Sequence, residues 1–83
     1  MITSANFSYS LVTDEVGIDF YCNGNYVSMV VCPITECQLF VSDTNSHWIR
    51  FTDHYYFSVL IPESVYHQLT HELNSAYDLR VVK

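Results

Sequence analysis

Positive charge is the scarcest property of this 83-residue chain: Arg50, Arg80 and Lys83 stand against nine acids, for a net charge of −6. A protein that grips nucleic acid must neutralise phosphates with Lys and Arg, so the expectation is no direct binding to DNA or RNA, and no attachment to an anionic membrane surface. Long apolar runs are also missing. A stretch such as Met29-Val30-Val31-Cys32 falls far short of the ~20 residues that span a bilayer. The start, Met1-Ile2-Thr3-Ser4-Ala5-Asn6, has neither the basic segment nor the apolar segment of a signal peptide, which points to a cytosolic protein. Glycine and proline number two each, too few for a linker, and no repeat or charge block appears, so residues 1–83 read as one α+β domain.

Cysteine is sparse and odd in number. Cys22, Cys32 and Cys37 do not make a disulfide framework, and the four residues between Cys32 and Cys37 are not the two-residue spacer of a zinc knuckle or redox motif. Reduced, largely buried thiols are expected; a labile Cys32–Cys37 bridge across a hairpin is the alternative. What the chain has in quantity is aromatic surface. Seven Tyr, five Phe and one Trp accompany a charged fraction of only 14%, against a usual ~25%, which is the composition of a folded chain and not of a disordered one. A chain this short buries roughly 60–65% of its unfolded surface, which leaves little for a second lobe around an enclosed cleft and favours binding over chemistry.

Hydrophobic periodicity supplies the architecture. Asn6 to Val12 alternates with Phe7, Tyr9 and Leu11 on one side, the period of a half-buried strand. Val16 to Cys22 alternates again and runs into Asn23-Gly24, the strongest short hairpin signal, with a third strand from Asn25 to Cys32. A two-residue turn sets Tyr21 opposite Tyr26, Phe20 opposite Val27, Ile18 opposite Met29 and Val16 opposite Val31, which makes one face wholly apolar and puts Cys32 on the other. Cys37 to Val41, Trp48 to Phe51 and Tyr55 to Ile61 read as further strands, separated by Ser42–Ser46 and by Thr52-Asp53-His54. Pro62 and Glu63 open a helix whose apolar positions are Val65, Leu69, Leu73 and Ala76; Asn74-Ser75 weakens its end, and Leu79 to Val82 is expected to add a short edge strand. The resulting fold is an antiparallel meander of five or six strands with one C-terminal helix on its apolar face, with a half-open barrel as the alternative.

No constellation demands catalysis. Glu63, His67 and His71 share one helix face at i,i+4 spacing, but Gln68 stands where a metalloprotease helix has its glutamate, and no cofactor or metal is assigned. No serine elbow or phosphate-cradling loop occurs, and His47 and His54 fall in or beside loops, so a non-enzyme is expected. The remaining signal is a surface: Tyr21, Tyr26 and Trp48 with Asp14, Glu15, Asp19, Asp43 and Asp53 form a candidate acid-rimmed aromatic patch. Such a patch suits a small inhibitor or binding module that docks on a basic, nucleic-acid-handling protein partner. In size and charge alone the chain is similar to bacteriophage anti-defence and anti-CRISPR proteins. A structural homodimer joined through an unguarded edge strand is the second expectation, and a metal binder using His67 and His71 the third.

Overall fold

The computed structural model describes residues 1–53 and 56–82. It is an α+β protein with strands β1 (Ser4–Ser10), β2 (Glu15–Cys22), β3 (Asn25–Pro33), β4 (Cys37–Val41), β5 (His47–Phe51) and β6 (Phe57–Ile61), closed by helix α1 (Glu63–Val82). The six strands are divided between two antiparallel sheets, β1-β2-β3 and β4-β5-β6, instead of running through one. The break falls at Pro33, where a single 3-10 turn, Ile34–Glu36, leads the chain from one sheet to the other.

Both sheets bury one face in a common core. Val16, Ile18, Phe20 and Cys32 come from the first sheet, Cys37, Ile49, Phe51 and Ile61 from the second, with Ile34 from the connection. Phe20 and Phe51 meet edge to face at 6.4 Å and join the two inner faces, the geometry that aromatic quadrupoles favour. The helix adds Val65, Leu69, Leu73 and Ala76, the stripe that its periodicity marks out. The Pro62 carbonyl accepts the first helical N–H, from Tyr66, so Pro62 precedes the helix and does not open it. The Gln68 amide donates to the Ala5 carbonyl on β1 at 2.8 Å, which ties the helix to that edge of the first sheet.

The Asn23-Gly24 turn forms as expected, with φ of 51° and 84°, the paired positive values of a type I′ hairpin. Tyr21 faces Tyr26 and Cys22 faces Asn25. Beyond that pair the expected register is overturned: a bulge at Val27 sets Phe20 opposite Ser28, Ile18 opposite Val30 and Val16 opposite Cys32. The reason lies at the far end of the strand. Pro33 is extended (φ −55°, ψ 140°), so Cys32 and Ile34 point to the same side, and burying Ile34 draws Cys32 inward. One extra residue reconciles that requirement with a register fixed by the turn. Cys32 is therefore buried beside Val16, and Met29 and Val31 face outward.

Two boundaries also differ. β1 ends at Ser10 and Leu11–Asp14 forms the turn, with Asp14 in the left-handed region at φ 58°. Leu79 to Val82 is the last turn of the helix and not a strand. The Ser75 hydroxyl donates back to the His71 carbonyl and so tolerates the helix interior, while Ala76 beside it is buried. The last turns are held from outside, by Tyr77 donating to the Ile34 carbonyl and by Arg80 paired with Asp14. Tyr55, expected to begin the last strand, lies outside the described residues with His54 and Lys83.

Candidate functional site: the outer faces of the two sheets

Alternation along β2 turns Val16, Ile18 and Phe20 inward and leaves Glu15, Gly17, Asp19 and Tyr21 on the outer face. Four of the expected patch residues are thereby brought together, since Tyr26 joins them across the hairpin. Its ring meets that of Tyr21 edge to face at 6.0 Å, and the Tyr21 hydroxyl accepts a bond from the Asn6 amide. Glu15 and Asp19 are half-buried on the central strand, and among the described residues neither enters an ion pair.

Beside them runs β3, an edge strand that pairs only with β2 among the described residues. Tyr26, Val27, Met29 and Val31 are 61%, 51%, 57% and 51% exposed, an apolar margin along the acidic centre. Gly17 keeps that centre shallow. A Cβ there would meet the Ser8 hydroxyl at 3.0 Å, and the hollow is bordered by Ser8, Glu15, Met29 and Val31. Neither β3 nor the Asn23-Gly24 turn before it carries a charge, so nothing on the strand itself guards this edge electrostatically.

The other expected patch residues lie elsewhere. Asp14 is held by the end of the helix at the surface: Arg80 Nε donates to Oδ1 at 2.8 Å and Oδ2 at 2.9 Å, and the Tyr9 hydroxyl donates to Oδ1. That bond from Tyr9, with Asp14's negative charge, raises the Tyr9 phenol above its ordinary value, and the same carboxylate raises the Arg80 guanidinium. Asp43 is exposed in the turn between β4 and β5, and Asp53 is half-buried just after β5, its carbonyl accepting from the Tyr56 amide. Trp48 stands on the outer face of the second sheet, stacked on Phe40 at 6.3 Å with the rings 7° from parallel. The eight residues expected to form one patch are thus spread over two sheets, their turns and a half-exposed ion pair.

For chemistry the inventory is short. Burial pushes the Cys32 thiol up to about 11 and Cys37 up to about 12, so both stay protonated near neutral pH and neither is an activated nucleophile. The three cysteines are free thiols. His47 meets the Tyr66 ring at 4.9 Å; His67 lies 3.4 Å from Glu63 on an exposed helix face. Among the described residues no three His, Cys, Asp or Glu side chains gather as a metal site would need, and no helix is long and apolar enough to cross a membrane.

Two groups of surface residues were not singled out from sequence. A straight register places Val27, Met29 and Val31 in the core, whereas the bulge leaves them exposed. Arg50 lies between Ile49 and Phe51, and its outward parity with Trp48 was a readable signal. No family model, curated protein or solved structure matches this chain.

Proposed function

We propose that this protein is a non-enzymatic, cytosolic binding module, an inhibitor that lays the outer face of its first sheet on a larger protein with a basic patch. One observation carries the reading: an unguarded apolar edge strand, with Tyr26, Val27, Met29 and Val31 exposed, borders a central strand whose Glu15 and Asp19 enter no ion pair among the described residues. Apolar groups at the contact supply burial, and unpaired acids beside them supply orientation and attraction to positive charge. A net charge of −6 steers such an encounter over longer range and suits a partner that ordinarily handles nucleic acid, where carboxylates compete with phosphate.

The test is affinity capture of tagged protein from a lysate of its source cells, at ~0.1 M and ~0.5 M salt, where exposed charges are screened beyond roughly 4–5 Å. Wild type is compared with Glu15→Lys/Asp19→Lys and with Met29→Ser/Val31→Ser. A basic protein retained by wild type at low salt and lost with both variants and at high salt agrees with the reading. Retention by the charge-reversed variant contradicts it.

A second reading rests on the same strand. Because Asn25–Pro33 carries no charge, two copies can align β3 against β3 about a two-fold axis without like-charge opposition, despite the acidity of the whole. A stable dimer of the isolated protein, unaffected by Glu15→Lys/Asp19→Lys, selects this structural role.

A further inference from the structure

The outer face of the second sheet is built on different chemistry. Its strands place Gln38, Arg50 and Ser58 in one cross-strand row and Phe40, Trp48 and Leu60 in the next. The Arg50 guanidinium lies over the Phe40 ring, 4.3 Å from its centroid, with the exposed Tyr56 ring at 6.0 Å. Arg50 Nε is buried with no acceptor, and among the described residues the guanidinium enters no ion pair. Arg80, by contrast, is engaged with Asp14.

A guanidinium lying over an aromatic ring is desolvated on that side, while its N–H donors lie in the guanidinium's own plane and can still meet a planar acceptor there. The lost hydration of Nε is not offset by any bond within the protein, so an anion brought to the terminal nitrogens meets a stronger field than at a fully hydrated arginine. Gln38 and Ser58 flank the cation on either neighbouring strand, both exposed, with an amide and a hydroxyl to donate. One fixed positive charge with two neutral donors matches a monoanion of fork geometry. A nucleic-acid backbone needs several cations in a row, and Arg50 on β5 and Arg80 on α1 do not form one.

We infer that the Gln38–Arg50–Ser58 row is a carboxylate-binding site, which takes the side chain of a glutamate or aspartate in a peptide and seats the neighbouring apolar residue on Trp48 and Leu60. The site stands independently of the first-sheet face, which has the opposite charge preference.

Trp48 is the single tryptophan, so its fluorescence reads this face alone. The probe is an acetylated and amidated Gly-Glu-Leu peptide, titrated against wild type, Arg50→Lys and Gln38→Ala. A saturable change in emission is expected, with affinity about tenfold weaker for the matching Gly-Gln-Leu peptide and for Arg50→Lys, which keeps the charge but loses the fork and the stack. A smaller loss is expected for Gln38→Ala. Equal affinity of the glutamate and glutamine peptides, no saturable change with either, an unaltered Arg50→Lys, or tighter binding of methyl phosphate than of the glutamate peptide would each overturn the inference.

Discussion

The two sheets are alike inside and unlike outside. Each has three antiparallel strands with a fully buried row on its central strand, Val16-Ile18-Phe20 in one and Ile49-Phe51 in the other. Outward, the first sheet sets acids on its central strand and bare aliphatics on an edge, whereas the second sets a cation on its central strand and stacks it on aromatics. A period of two allows this because alternate residues answer to separate constraints: the inner set to packing, the outer set to whatever the surface must meet. In so small a chain the outer set is the greater part of what can carry function.

The contrast between inner and outer rows breaks most visibly at β2 and β5. Phe51→Ala should cost about 3–5 kcal/mol and Ile18→Ala about 2–4 kcal/mol, enough to leave little of the folded state, while Asp19→Ala on the same strand should change stability by about 0.5 kcal/mol or less. Urea titrations of the three variants check this; similar midpoints for Ile18→Ala and Asp19→Ala would erase the distinction. The bulge offers a sharper test. Deleting Val27 leaves Phe20 opposite Ser28 and Ile18 opposite Val30, so it should be tolerated within about 1 kcal/mol; a straight ladder through Val27 would instead turn Met29 and Val31 to the opposite face and unfold the protein.

The thiols extend the comparison to pH. Cys32 and Cys37 are raised to about 11 and about 12 from 9.0 chiefly by burial, so the folded state holds their protons more tightly. Their stabilising contribution is complete below pH 9.0 and is lost as pH climbs towards about 11 and 12. At pH 8, iodoacetamide should add one group, at half-buried Cys22, and mass spectrometry showing three adducts at equal rates would contradict the buried positions. A modest effect is expected at Asp14→Asn. Asparagine accepts a φ of 58° and keeps the turn, so the loss falls on the bonds that the carboxylate accepts from Arg80 and Tyr9. The melting temperature should fall by less than for either core truncation, and the difference should shrink with added salt.

Legibility in the sequence followed the range of the interaction. The Asn23-Gly24 turn, the buried helix stripe and the strand bodies were readable, because each depends on neighbours within a few residues. The bulge was not, since it is set by Ile34, seven residues past Val27 and beyond a proline. Division into two sheets and continuation of the helix through Asn74-Ser75 likewise depend on contacts far apart in the chain, such as Phe20 with Phe51 and Arg80 with Asp14. The patch was partly legible: parity put Asp19 and Tyr21 on one face with Tyr26, but it did not extend β2 back to Glu15, and charge alone could not reveal that Asp14 is consumed by Arg80 from the helix end.

Hydrogen exchange measured on the protein free and bound to its captured partner tests the assignment of the binding face most directly. Slowed exchange concentrated in 15–21 and 26–31, with 38–50 unchanged, is the predicted result. Slowing confined to the second sheet or to the helix, with β3 exchanging as in the free protein, would contradict it.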